Sequence, residues 1–447
     1  MARMLKGDVV DKFSPREHLR LLRSYLAHYP DFARFPHRDA EQVREFQWAR
    51  VKAILEIAYH SSPFYQRLYR AHGVQPADVR TWEDFARLPT VTKQDIMGSE
   101  RECLVRGART DRLRRSRSSG SSGQFIEVYS DTGHWLASAL ATFRMMQQSF
   151  GFNPFRSRGG AVIYTSELPF QARFGLYTAA YLNTLMPRAE MIRRLVRIEP
   201  EYIVSYPSII AELMAHFPAE CRRLRPKAIL TNSEQSTQLQ RDQMASFFGC
   251  PVPDEYSTEE LREVAFQCAH GAYHLQEDCV YTEILDPERN EVRPDGQVGE
   301  IVGTSFTNPT MPFVRYRQGD LGSLRPAACD CGRTGRILDD ISGRKNSSFR
   351  LTNGDVIPSG RILDWTYKLF IDLAVPIAQF EVVQTATTDV TVRIVTAAGY
   401  DDPVHGEMIR QSFRGEFGSL LSVRVETVAE LARTPAGKHI PIRSLVW

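Results

Sequence analysis

Net charge of one sign is almost missing from this 447-residue chain: 56 Lys and Arg against 53 Asp and Glu leave only +3. So weak a field cannot hold DNA or an anionic membrane surface over the whole molecule, and any phosphate must be gripped locally. Long apolar runs are also lacking. No stretch approaches the ~18 residues of a membrane span, and residues 1–13 carry Lys6, Asp8, Asp11 and Lys12 where a signal peptide needs an apolar core. The expectation is a cytoplasmic protein with no membrane and no nucleic acid among its partners. Cysteine is sparse, seven in all, and an odd number over so long a chain fits a reducing compartment better than a disulfide framework. Internal repeats and low-complexity tracts do not occur either.

What is present is material for a large core, with 43% hydrophobic residues and room for two or three domains at roughly 150 residues each. Residues 16–71 read as helices, from Leu19, Leu22 and Tyr25 and then Val51, Ile54, Leu55 and Ala58 at helical spacing. Thr92-Lys93-Gln94-Asp95 suits a turn leading into another helix. Between 129 and 264, strand-like runs at 161–164, 202–206, 228–231 and 252–256 alternate with helical ones at 173–185, 209–217 and 239–248. That rhythm predicts a mostly parallel sheet flanked by helices, with ligands beyond the carboxyl ends of its strands. After Cys279 the texture turns β-rich, at 280–285, 299–304 and 312–316. From about Gly343 it changes again, to a hairpin of 379–384 and 390–396, a helix at 403–417 and a strand at 422–427. The predicted fold is α/β: a large N-terminal domain, 1–342, with a β-rich subdomain, and a small α+β C-terminal domain, 343–447, joined by a hinge.

Four constellations could carry chemistry. Ser118-Ser119-Gly120-Ser121-Ser122-Gly123 interleaves hydroxyls with glycines that let backbone N–H groups turn toward a phosphate. Without a Gly-Lys-Ser/Thr ending it is no P-loop, and a plain Ser/Gly linker is the competing interpretation. The basic stretch before it, residues 106–117, holds six arginines and no aromatics, more a solvated face than an RNA site. Asp254-Glu255-Tyr256-Ser257-Thr258-Glu259-Glu260 places acids after a strand, where one could hold Mg²⁺ against nucleotide phosphates, although an acidic helix start fits as well. Asp320, after Arg315-Tyr316-Arg317, could accept both hydroxyls of a ribose, and Arg344 could brace phosphate oxygens. Finally, Arg433-Thr434-Pro435-Ala436-Gly437-Lys438 would present a lysine at a loop tip, suited to a transferring phosphoryl group unless it is an ordinary surface lysine.

In this order and spacing, the four resemble the adenylate-forming superfamily, the AMP-binding acyl-CoA and aryl-CoA synthetases, in its phenylacetate-CoA ligase-like branch. Ser61-Ser62-Pro63-Phe64-Tyr65, Leu88-Pro89-Thr90-Val91-Thr92-Lys93, Tyr206-Pro207-Ser208, Asn232-Ser233-Glu234, Met311-Pro312 and Val356-Ile357-Pro358-Ser359 extend the match over nearly the whole chain. Gln124 and Ser257 depart from the pattern, and Lys345-Asn346-Ser347-Ser348 lacks its usual acidic pair. The resemblance implies an N-terminal AMP-binding domain and a mobile C-terminal domain carrying the catalytic Lys438. It implies Ser118, Ser119, Gly120, Ser121, Ser122 and Gly123 over the β- and γ-phosphates, Ser233 and Glu234 near the adenine, and Glu255, Tyr256, Ser257 and Thr258 beside the nucleotide. Glu259 would ligate Mg²⁺, Asp320 would hold the ribose, and Arg344 would follow the hinge.

Cys268, His270 and His274, with Cys329 and Cys331, offer zinc-ligand chemistry from two separate loops, against a reading as buried free thiols. The resemblance makes a structural Zn²⁺ on Cys268, His274, Cys329 and Cys331 plausible, with Cys279 to spare. Phe170, Phe174 and Tyr177 are candidates for the wall of an acid pocket, or else core packing. The implied activity joins a carboxylic acid, aromatic by analogy, to ATP as an acyl-adenylate and passes the acyl group to coenzyme A. A carrier protein or an amine is the alternative acceptor. A non-catalytic nucleotide- or RNA-binding relative is the reading from another class, and a homodimer stays open.

Overall fold

The computed structural model describes residues 14–117, 125–153, 156–157, 159–164, 179–344, 347–357, 359–371, 373–434 and 437–446. Helices Pro15–Arg34, Ala40–Ser61 and Pro63–Ala71 open the chain where their sequence signals lie. Ser14 and Asp39 accept backbone N–H bonds as N-caps, and Pro63 begins the third. Thr92 caps the short helix Lys93–Ile96 in a reciprocal box with Asp95.

Strand β1 (Arg114–Arg117) pairs antiparallel with β2 (Glu127–Ser130), and the Ser118–Gly123 candidates between them fall outside the described residues. After the helix Thr132–Phe150, an 11-stranded sheet is built from β3 (Gly160–Tyr164), β4 (Ala179–Asn183), β5 (Tyr202–Ser205), β6 (Ala228–Asn232), β7 (Asp254–Thr258), β8 (Arg262–Gln267), β9 (Tyr273–Leu275), β10 (Val280–Leu285), β11 (Gly299–Ser305), β12 (Tyr316–Arg325) and β13 (Ile337–Arg344). Its order is β10-β11-β12-β13-β9-β8-β7-β6-β5-β3-β4. The five strands from β7 to β4 run parallel, and every other pairing, beginning with β7 to β8, is antiparallel. Because β4 and β5 lie on opposite sides of β3, the strand order reverses there and opens a crevice at the carboxyl ends.

Beyond it, β14 (Phe349–Arg350) and β15 (Val356–Ile357) pair, and β16 (Ile377–Ala386), β17 (Asp389–Thr396), β18 (Ser422–Thr427) and β19 (Ile442–Ser444) form a four-stranded sheet. Helices Ser359–Ile371 and Asp402–Phe417 cover it. Trp365 seals their contact, its ring centroid 5.0 Å from that of Phe413 and 5.7 Å from that of Phe417, while its indole N–H reaches Ser412 Oγ at 3.0 Å. No helix among the described residues is long and apolar enough to cross a membrane.

Three expectations need correction. Of the helix expected at 173–185, residues 173–178 lie outside the described residues and Ala179–Asn183 form β4, whose Ala179, Ala180 and Leu182 are fully buried. The unbroken apolar run Ala179 to Leu182 shows no apolar–polar alternation, so periodicity cannot separate this strand from a buried helix. The run 312–316 is not a strand until Tyr316, since Pro312 has no N–H and Arg315 takes a left-handed φ of 49°. The strand placed at 252–256 starts instead at Asp254, after Pro251 and Pro253, so Glu255, Tyr256, Ser257 and Thr258 are within β7 and not in a loop beyond it.

Candidate active site

The crevice gathers residues from four strand ends. Tyr164 closes β3 and meets Tyr206, just past β5, edge-on with ring centroids 5.6 Å apart. Ser233 follows β6 with φ at 67° and hydrogen-bonds the Tyr164 hydroxyl. Glu234, next in sequence, accepts the backbone N–H of Ser208 at 3.2 Å and that of His439 at 2.6 Å. A single carboxylate thus joins the parallel sheet to the C-terminal loop.

That loop is a tight turn. The Gly437 N–H donates to Thr434 O at 2.7 Å, Thr434 N–H to Lys438 O at 3.0 Å, and Lys438 N–H to Thr434 Oγ1 at 3.1 Å. Gly437 holds φ at 71°, and a Cβ there would come within 2.6 Å of Thr184 Oγ1, so glycine is required twice over. Lys438 Nζ lies 5.7 Å from the centre of the Tyr206 ring. Burial, followed by the charge of Arg433, lowers the His439 imidazole to about 4. It is therefore neutral, and its Nε2–H donates to Phe380 O at 2.7 Å.

Burial raises Glu234 to about 7, against the opposing pull of the His439 and Ser208 donors and of Lys438. The folded state favours the protonated acid, so this contribution to stability is complete below about pH 4.5 and is lost as pH rises through about 7. Glu234→Gln keeps an acceptor oxygen and removes the ionisation. Between pH 5 and pH 8 the urea midpoint of the unsubstituted protein should fall relative to that of the variant; parallel profiles would sink this assignment.

On the other side, Tyr256 Oη donates to Asp320 Oδ2 at 2.8 Å, and Asp320 on β12 stands opposite Arg344 on β13 in register. Glu259, in the turn after β7, pairs with Arg262 at 3.1 Å, whose guanidinium lies 4.3 Å over the Trp135 ring. Glu260 points away and accepts from Tyr316 Oη at 2.9 Å. Glu255 rises to about 7 through burial first and the neighbouring Glu263 second, with the Ser257 hydroxyl pulling the other way. Thr258 Oγ1 accepts from Leu261 N at 3.1 Å and holds the β7–β8 turn. Phe170, Phe174, Tyr177, Lys345 and Asn346 lie outside the described residues. In the basic stretch, Arg109, Arg114 and Arg115 pair with Asp111, Glu17 and Glu127, as a solvated face does.

Cys268, His274, Cys329 and Cys331 converge, with one donor atom from each lying within 4.8 Å of all the others. Cys268 and Cys329 sulfurs are 3.6 Å apart, and Cys331 Sγ is 3.1 Å from His274 Nε2. A tetrahedral zinc with Zn–S near ~2.3 Å spaces its ligands ~3.8 Å apart, so three thiols and an imidazole at these separations fit one ion. β9 carries His274 inward, opposite Ile337, whereas His270 is exposed and outside the set. Cys279 is buried elsewhere, 3.7 Å from Asp278 Oδ1, and Cys103, Cys221 and Cys250 are buried packing residues. Sequence reasoning quoted Arg433 as the start of the lysine motif without giving it a role, and it missed Tyr164, Glu212 and Arg188, because ordinary polar residues far apart in the chain carry no motif.

No protein-family model matches the chain. It is 28% identical over 357 residues to a phenylacetate-coenzyme A ligase of Thermus thermophilus, covering 75% of this chain and 77% of that one. With the phenylacetate-coenzyme A ligase of Escherichia coli it shares 27% over 339 residues, 71% of this chain and 75% of the relative. Among solved structures, a 2-hydroxyisobutyryl-CoA ligase in the postadenylation state superposes with a TM-score of 0.74 at 21% identity, over 92% of this chain and 90% of that one. The chain is thus similar to phenylacetate-coenzyme A ligases over about three quarters of its length and shares the fold of a 2-hydroxyisobutyryl-CoA ligase.

Proposed function

We propose that the protein activates a carboxylic acid with ATP and transfers the acyl group to coenzyme A. The observation that carries this reading is the seat of Lys438, over Tyr206 and beside Glu234, across the crevice at the parallel strand ends. An oxygen of the acid attacks the α-phosphorus, the bond to pyrophosphate breaks, and an acyl-adenylate stays in the site. The coenzyme A thiolate then attacks the acyl carbon and AMP departs. Negative charge grows on the phosphoryl oxygens in the first step, where a preset ammonium is worth most.

In this reading Lys438 contacts the α-phosphate and the acid's carboxylate, Asp320 holds the ribose hydroxyls with Tyr256 fixing its orientation, and Ser233 and Glu234 border the adenine. The Ser118–Gly123 run covers the outer phosphates, Arg344 braces the nucleotide, and Phe170, Phe174 and Tyr177 contribute to the acid pocket. Glu259 would hold Mg²⁺, which when bound neutralises charge on the ATP phosphates. Zn²⁺ on Cys268, His274, Cys329 and Cys331 would serve structure, since four protein ligands leave no open position. Residues 1–342 and 343–447 act as a large and a mobile domain, in the cytoplasm.

Acid-dependent ATP/pyrophosphate exchange over a panel of aromatic and aliphatic acids tests the proposal. Exchange driven by at least one acid is expected, and coenzyme A should then convert that acid to a thioester. Absence of exchange with every acid, together with salt-sensitive retention of RNA, would favour a non-catalytic binding role instead.

A further inference from the structure

Behind the lysine loop, two arginines share one acid. Glu212, on the helix Pro207–His216, is 5% exposed. Arg188 Nε donates to its Oε2 at 2.7 Å, and the Arg433 guanidinium pairs with its Oε1. Arg188 is fixed in turn by the carbonyls of Thr184 and Met186, at 2.8 and 3.1 Å. Arg433 spends another N–H on the carbonyl of Gly437, 2.9 Å away and one residue before Lys438. One guanidinium therefore spans a buried acid on the parallel-sheet side and the backbone of the lysine turn.

The charges explain why the arrangement is specific. Arg188 and Arg433 repel each other, and burial together with Arg188 lowers Arg433 to about 10. The Glu212 carboxylate between them makes their approach favourable. Neither Glu212 nor Arg433 is among the residues assigned above to the chemistry of adenylation.

Resting on the function proposed above, we infer that Glu212 and Arg433 form a clasp that positions Lys438 for adenylate formation and has no part in the thiol step. A lysine displaced by an ångström loses most of its effect on the developing charge. Once the adenylate exists, its attack by a thiol no longer needs that lysine.

The test separates the half-reactions. Arg433→Met should lower kcat for ATP/pyrophosphate exchange by about 30- to 100-fold with KM for ATP changed by no more than about twofold. Consumption of a supplied acyl-adenylate by coenzyme A should proceed at the rate of the unsubstituted protein. Arg433→Lys, which keeps the charge without the fork, should recover part of the exchange. Hydrogen exchange of residues 433–439 gives a readout without substrate, and Arg433→Met should strip protection from the His439 amide. Unchanged exchange kinetics with unchanged amide protection, or an equal fall in both half-reactions, would overturn the clasp. If the unsubstituted protein supports no exchange but the variant still loses amide protection, the proposed function fails while the clasp stands.

Discussion

Lys438→Ala should cut acid-dependent ATP/pyrophosphate exchange by about 10²- to 10³-fold, the usual cost of deleting one preset donor to a developing oxyanion. The fold of the turn should survive, because its bonds to Thr434 and Glu234 use backbone groups of Lys438 and His439 and not the lysine side chain. An unchanged urea midpoint alongside the lost exchange would separate chemistry from stability. Thiolysis of a supplied adenylate should be nearly unaffected. An alanine variant that exchanges as fast as the parent would remove Lys438 from the chemistry, and with it the main reason for reading the crevice as an adenylation site.

The second large effect is expected at the Cys/His cluster. Cys329→Ser replaces a thiolate with a weak ligand, so the metal content of purified protein should drop from about one zinc per chain to near zero. The loop that carries Cys329 and Cys331 is tied to the N-terminal helices: His37 Nδ1 bonds Gly332 O at 3.0 Å and Thr334 N–H donates to Pro36 O at 3.0 Å. Loss of the ion should therefore loosen that junction as well as the cluster. A metal held at a thousand times its Kd contributes ~4 kcal/mol, and the urea midpoint should fall accordingly. A strong chelator should reproduce the effect in the parent protein and leave the variant unchanged. A parent protein purified in zinc-free chelating buffer with full stability and no metal would end the assignment.

Much of the fold is legible in the sequence. The strands at 280–285 and 422–427 appear at their predicted bounds because short runs rich in β-branched residues sit between turn formers. β4 was hidden because Ala179, Ala180, Tyr181 and Leu182 form an unbroken apolar run, which lacks the alternation that marks a strand. At the site, donor types narrowed the metal set to Cys268, Cys329, Cys331 and one of two histidines. The resemblance pointed to His274, and the convergence of its ring with the three sulfurs agrees, while His270 is exposed. Glu234 was expected beside the adenine, and its bond to the His439 amide shows a contact to the lysine loop that spacing could not reveal. Glu212 is an unremarkable acid in an apolar helix until Arg433 folds back onto it.

The most direct measurement follows the oxygen atoms of the acid. With ¹⁸O in both carboxylate positions, attack on the α-phosphorus leaves one label bridging to phosphorus, and thiolysis at the acyl carbon releases it in AMP. Mass spectrometry of the products should find AMP carrying one ¹⁸O and pyrophosphate carrying none. Label in inorganic phosphate with formation of ADP would mean attack at the γ-phosphorus through an acyl phosphate, and would contradict adenylation by this crevice.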